Sequence, residues 1–588
     1  EAVVKLAWAG RVCESGCAVG LRRVGLRRRS GGVTPGKRIG RPQVRIDGSG
    51  QLGLFGEAAP VQPKPPGGVE AAIRFVEADA RRIMLGGMRL DEHLKAMGIV
   101  WPFTVARLLG EQDWSVFLAK LSPNGRPPYA PWAMVGLVMA GLLKGVNTLR
   151  ALEELARSDL GVMWVTGGIC PDHSVIGRFL LLHAETLSES FFAGLTGSVL
   201  KATGSDAALL GLDGTVIAAA VARLGTLKAE ALAAALKEAE AKAAEAQAAA
   251  ADASTAQAEK AQTAAAEAAA KVEKLAAAQA VLNERIGART DKGKDAKGLS
   301  ILPDEPEAVV QPQKDKRTYA PSYEPVVMAN GARVVVAGDV HPSCETAPVE
   351  RLVEAARAHG KVETVLADSG FNGAGTITVA AKRDIELLAP EGRTLPGETA
   401  THKQSDKQIP KGEFRYEAAS DSYRCPAGHS LHRLAACSEY AVYGGAPCAD
   451  CPMRARCTKG AEGRQIKRYP CDAAKEAMRA TLADPAGRAR YNKRAGMVEP
   501  VFAHLKENQG LRRFRRRGLA KVRLELMLHL AAYNLSRAVA LARAIGALSG
   551  GLLDAALRCL ATVRSALLTR LRHAMTALAT PSPGAPRV

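Results

Sequence analysis

The chain has 588 residues, 47% of them hydrophobic and 4% aromatic, and Lys plus Arg outnumber Asp plus Glu by 80 to 59, giving a formal net charge of +21. Such a length holds several domains with real cores, the cationic excess favours a polyanionic partner bound in a salt-sensitive way, and the scarcity of rings excludes base stacking as the main binding device. No stretch reaches the roughly 18 uninterrupted apolar residues that span a bilayer, so the best candidate, WAMVGLVMAGLL before Lys144, reads as a buried helix and the expected location is cytoplasmic.

Residues 1–85 are rich in Gly, Pro and Arg, and the opening EAVVKLAWAGRVCESGC has neither an initiator Met nor an ordered signal-peptide pattern. They read as a disordered basic arm or as translation upstream of the true start. From 86 to 204, apolar residues recur three and four apart in VARLLG, WSVFLAKL and LRALEELARS, which predicts a helical domain, and a weak helix-turn-helix-like motif offers it as a DNA contact. Within it, PDHSVIGRF places Pro171 and Asp172 ahead of a helix with Ser174 as its cap. Asp172, His173 and Ser174 are consecutive, so they cannot converge on one reacting atom as a hydrolase triad does.

Residues 205–225 hold ALLGLDGTVIAAAVA, a buried strand carrying one acid, Asp213. The 226–316 segment is an Ala-rich insertion and linker whose Leu227 to Ile286 stretch predicts long helix folded back near Ser254 and Thr255. Its coiled-coil seam is Ala rather than Leu, which favours a solvated arm over a strong dimer zipper. In 317–400, Asn330-Gly331 between Val-rich runs signals a β-hairpin. There follow a helix at VERLVEAARAHG, a strand ending at Asp368 and a strand at DIELLAP, together a mixed α/β sheet. Residues 401–484 are cysteine-rich, 485–545 carry an acid within YNKRAGMVEPVFAHLK followed by GLRRFRRRGLAKVR, and 546–588 form a C-terminal helix and tail.

Asp213, Asp368 and Glu499 supply the carboxylates that a two-metal phosphoryl-transfer site needs, because hard divalent cations take oxygen ligands and keep shell positions for water and phosphate. Taken singly, an Asp beside a Gly is a turn residue. LDGTVI, LADSGFN and YNKR…VEPVFAHLK together resemble the DDE transposases of bacterial insertion sequences, with their tyrosine-arginine-glutamate-lysine signature, over roughly residues 90 to 545. The resemblance implies an α/β fold: a ribonuclease H-like catalytic core with an N-terminal helical domain, the Ala-rich helical insertion and the cysteine-rich insertion. It implies Asp213, Asp368 and Glu499 as catalytic ligands of two Mg or Mn ions, Tyr491, Arg494 and Lys506 as phosphate or end-DNA contacts, and metal-dependent cleavage and strand transfer on double-stranded DNA. The expected assembly is a homodimer formed on transposon ends and target DNA. One departure stands out: Arg494 precedes Glu499 by five residues, where the signature has four, and Pro500 predicts that Glu499 sits at a helix entrance or kink.

Arg512, Arg513, Arg515, Arg516, Arg517, Lys521 and Arg523 form a second DNA-contact candidate, with Phe514 as an anchor to the core. Asp339 and His341 stand near the expected sheet, where a strand-end turn is the simpler role. Cys425, Cys448, Cys451 and Cys457 are chosen as ligands of a structural zinc, with His429 or Cys437 as substitutes and reduced thiols as the alternative. The leading function is an insertion-sequence transposase; the alternative is a catalytically silent DNA-binding descendant of one.

Overall fold

The computed structural model describes residues 73–545 apart from breaks at 123–124, 222–224, 253–256, 292, 294, 297, 314–317 and 393–408. Most of the expected arm, the expected turn at Ser254 and Thr255, and the C-terminal helix and tail lie outside the described residues.

The N-terminal layer is helical, with elements at Leu90–Ala96, Trp101–Gly110, Pro131–Leu143 (α1), Leu149–Ser158, Leu160–Thr166, His173–Leu182 (α2) and Ser190–Thr203. α1 is apolar all round and starts on Pro131, whose missing N–H costs nothing at a first helical position. It is buried along most of its length because two glycines admit its neighbours. A Cβ on Gly136 would lie 2.8 Å from Val165 Cγ1, and one on Gly141 would collide with Leu152. No helix among the described residues is long and apolar enough to cross a membrane. Residues 73–85, assigned to the arm, pack onto this layer through Phe75, whose ring centroid is 5.4 Å from that of Trp132. The cap of α2 is Asp172 rather than Ser174: the Asp172 carboxylate accepts the Ser174 N–H at 2.7 Å.

The central sheet contains β1 (Leu209–Gly214), β2 (Ile217–Ala218), β3 (Val309–Pro312), β4 (Tyr319–Asn330), β5 (Val335–His341), β6 (Thr364–Leu366) and β7 (Glu386–Leu388). Its order is β7-β6-β1-β4, with β5 on the far side of β4 and with β2 and β3 flanking the first residues of β4. β1, β6 and β7 run parallel, while β4 is antiparallel to both β1 and β5. The β4–β5 hairpin turns at the predicted Asn330-Gly331, and Asn330 Oδ1 accepts the Val334 N–H at 3.0 Å. Between β5 and β6 runs the predicted helix Val349–Arg357 (α5).

The Ala-rich insertion is a pair of helices, Ala229–Ala251 (α3) and Ala258–Thr290 (α4), with Leu232, Leu275, Ala278, Leu282 and Ile301 buried between them. At its root Leu227–Lys228 pairs antiparallel with Ser300–Ile301. The cysteine-rich segment builds a five-stranded antiparallel meander around Phe414, Tyr423, Leu431, Tyr443 and Ile466. After it come helices Asp472–Ala483, Pro485–Tyr491 and Lys493–Glu507 (α6), and a helix over 519–545 (α7). α7 closes the β5 edge, since Asn534 accepts the Val335 N–H and donates to the Val335 carbonyl, both at 2.8 Å. This side chain satisfies an edge that would otherwise be open to strand addition.

Candidate active site

Asp213 is the fifth residue of β1, and Asp368 follows β6, the parallel neighbour of β1, so both acids emerge at the same end of adjacent strands. Asp368 Oδ1 accepts the Gly370 N–H at 2.9 Å and thereby caps the short turn Ser369–Phe371. α6 brings Glu499 to them because Gly211, two residues before Asp213, has no side chain to hold the helix off. A Cβ there would stand 3.1 Å from Val498 Cγ1 and 3.2 Å from Met497 Cβ. Met497 and Val498 bury their side chains against the sheet while the next residue, Glu499, stays exposed.

The electrostatics reflect that convergence. Burial pushes the Asp213 carboxyl up to about 6; Arg494, whose Nη1 is 3.6 Å from Asp213 Oδ1, opposes the shift, and the charges of Asp368 and Glu499 add to it. Tyr491 is half-buried and hydrogen-bonded to Arg494, and burial raises its phenol. Lys506 Nζ donates to Thr215 Oγ1 at 2.7 Å, which ties the turn after Asp213 to the helix that carries Glu499.

Three expectations need correction. Glu499 does not sit at a helix entrance, because α6 begins at Lys493 and runs through Pro500. The Gly496 carbonyl, which the missing Pro500 N–H would have bonded, instead accepts from Arg333 Nε at 3.0 Å, so the acceptor that a mid-helix proline orphans is satisfied by the tip of the β4–β5 hairpin. Asp339, expected as a strand-end turn residue, is instead buried in ion pairs with Arg351 and Arg523, whereas His341 fills the expected turn role, its Nδ1 accepting the N–H groups of Ser343 and Cys344. The basic stripe is not one face. Arg512, Arg513, Arg515, Arg517 and Lys521 are exposed, but Arg516 is half-buried beside Glu525 with its pKa lowered by burial, and Arg523 is committed to Asp339 and Glu189. Arg512 pairs with Glu507. Phe514 anchors the segment as expected: it is buried, its N–H donates to the Ala218 carbonyl at 2.8 Å, and its ring packs edge-on against Tyr323.

Glu345 is the residue that sequence reasoning missed. Burial and the charges of Asp368, Glu324 and Asp213 push its carboxyl up to about 7, which places a further acid at the same centre. In HPSCETAPVE it reads as a solvated loop acid, and nothing in its local spacing marks it.

Cys425, Cys448, Cys451 and Cys457 line one small cavity together with His429, and the Cys425 Sγ accepts the His429 N–H at 3.3 Å. The Cys457 thiol is pushed up by burial and by the other three sulfurs. Among the described residues, the group whose ligand atoms all lie within 4.8 Å of one another is a different one, Glu153, Asp172 and His173 in the helical layer, which could hold a cation.

Residues 104–180 match the family model described as Transposase domain (DUF772), and residues 424–539 match the one described as Transposase DDE domain. The chain therefore carries a DDE-transposase-family domain and a second transposase domain. The DDE-domain match takes in Tyr491, Arg494, Glu499, Lys506 and the basic stripe, while Asp213 and Asp368 lie outside both matches. Comparison with curated proteins and with solved structures gave no match.

Proposed function

We propose that this protein is a DDE transposase that cleaves and joins DNA at the ends of a mobile element. The observation that carries the reading is the meeting of Asp213, Asp368 and Glu499, remote in sequence, at one end of β1 and β6. The strand order β7-β6-β1-β4-β5, with the last two antiparallel to their neighbours, supports a ribonuclease H-like core, and the two transposase-domain matches support the reaction class.

The residues fit a pair of Mg or Mn ions. The carboxylates of Asp213, Asp368 and Glu499 supply the hard oxygen donors such ions take, and Arg494 is the close counter-charge of Asp213. Divalent cations bound there would acidify an attacking water or 3′-hydroxyl and stabilise the leaving oxygen. In this reading Asp213, Asp368 and Glu499 hold them, Arg494 keeps Asp213 ionised and orients it, and Tyr491 positions Arg494. Arg513, Arg515, Arg517 and Lys521, exposed beyond α6, track the phosphates of double-stranded DNA, and a homodimer assembles on the two ends. Cys425, Cys448, Cys451 and Cys457 hold a structural zinc that fixes the meander; close to one equivalent of zinc in the purified protein is expected, and zinc-free protein of unchanged stability removes the assignment.

The test uses a plasmid carrying the gene with its flanking DNA, incubated with purified protein and Mn²⁺. Excision or nicking at discrete flanking positions is expected. Protein that binds this DNA in a gel shift but never cuts it, under any divalent cation, would identify a silent binding protein instead.

A further inference from the structure

The loop 342–348 between β5 and α5 is pinned at three points. Gln311 Nε2 donates to the Pro342 carbonyl at 2.8 Å, His341 Nδ1 accepts the Ser343 and Cys344 N–H groups at 3.1 and 2.9 Å, and the Glu324 carboxylate accepts the Glu345 N–H. With its backbone so held, Glu345 sends its carboxylate into the gap left by two glycines. A Cβ on Gly214 would lie 3.0 Å from Glu345 Oε2; one on Gly370 would collide with Glu345 Oε1 while standing 3.0 Å from Asp368 Oδ1. Gly214 directly follows Asp213, and Gly370 is the residue whose N–H Asp368 accepts. Both acid-bearing turns thus make room for the same third carboxylate.

Among the described residues, no cation or hydrogen-bond donor meets that carboxylate. Holding it against Asp368 and Asp213 without a counter-charge is unfavourable, and a hard divalent cation removes the penalty because it wants several oxygen ligands at once. We propose that Glu345 is a fourth carboxylate ligand of the cation site formed by Asp213, Asp368 and Glu499. The proposal rests on the transposase reading above and extends it: one carboxylate comes from β1, one from the end of β6, one from α6, and one from the loop after β5.

The experiment is calorimetric titration of Mn²⁺ into the metal-free full-length chain without DNA, so that the readout is binding and not turnover. Glu345→Gln keeps size and shape and is expected to weaken Mn²⁺ binding roughly tenfold or more, since ligand charge count tunes affinity. Gly370→Ala, which displaces the Glu345 carboxylate without removing it, is expected to move affinity in the same direction, and thermal melts without metal verify that both variants fold. Asp213→Asn and Asp368→Asn serve as references. Wild-type affinity in Glu345→Gln alongside weakened binding in both references overturns the proposal and leaves the transposase reading standing. Wild-type affinity in all of these variants overturns the cation site itself, and with it both.

Discussion

Asp213 and Asp339 stand on the two strands that flank β4, opposite Val327 and Val326, yet they do opposite things. The Asp339 side chain is 3% exposed and answered by two arginines, Arg351 and Arg523. Asp213, 19% exposed, has Arg494 at 3.6 Å against the charges of Asp368 and Glu499. A third acidic group, Glu153 with Asp172 and His173, resembles Asp339 in this respect. Its charges are spent internally, because Glu153 accepts both the His173 N–H and a contact from Nδ1, while Asp172 caps α2. An acid held close to other polar or charged groups is therefore common to all three places. What singles out the first is charge left unbalanced, which in a folded protein is held for something that arrives later.

The largest effect that would test this contrast is on cleavage. Asp213→Asn, Asp368→Asn and Glu499→Gln are each expected to reduce end cleavage to background with gel-shift affinity for the same DNA retained, because each removes a ligand charge and no DNA contact. Normal cleavage by any one of them removes that residue from the site. Asp339→Asn should do the reverse. Breaking a buried ion pair should cost about 3 kcal/mol in urea unfolding, while the folded fraction still cleaves; a stably folded but inactive Asp339→Asn would erase the distinction.

A smaller effect separates the helical cluster. Asp172→Asn keeps a capping side chain, whereas Asp172→Ala is expected to lower the melting temperature slightly through loss of the cap and to leave Mn²⁺ binding unchanged. A fall in Mn²⁺ affinity with Asp172→Ala would make Glu153, Asp172 and His173 a cation site after all.

The subtlest test is the pH dependence of the metal-free melting temperature. Burial raises Asp213 to about 6 against the opposing Arg494, and Glu345 to about 7 beside Asp368, Glu324 and Asp213. For acids whose folded pKa is raised, the stability they contribute is fully present below the unfolded values near 4 and is lost as pH rises through the folded values. These two groups should therefore lower the melting temperature progressively between about pH 4 and pH 7, and Mn²⁺ should restore it. A flat profile in that window would mean that the acids do not share one desolvated centre.

Much of this architecture was legible because local chemistry agreed with it. Asn330-Gly331 marked the hairpin, the run before Asp368 marked a buried strand, and the alanines between Leu227 and Ile286 marked long helices. Asp213 and Asp368 were legible as candidates because each sits on an apolar run, and Glu499 only through its resemblance to the tyrosine-arginine-glutamate-lysine signature. Glu345 escaped because its role depends on Gly214, more than a hundred residues earlier, and on Gly370 in the short turn after β6, a relation that only the folded sheet creates. Pro500 misled for a similar reason: the rule against mid-helix proline is a statement about an orphaned carbonyl, and here Arg333 from another strand supplies the missing donor. The arginine stripe was uniform in sequence, but Glu525, buried on α7, accepts the N–H groups of Arg515 and Arg516 and turns part of it inward.

The root of the Ala-rich arm carries its own lesson about how such a chain can change. Leu227–Lys228 and Ser300–Ile301 meet side by side, so the chain leaves the sheet and returns to it through adjacent positions, like the two legs of a hairpin clip. Whole turns can be trimmed from or added to α3 and α4 in matched amounts without moving either leg, since the arm buries its apolar residues largely against itself. Length drift is thereby decoupled from the acids at β1 and β6, which makes this stretch a natural place to graft a tag or a fluorescent reporter while the chemistry below it is left alone.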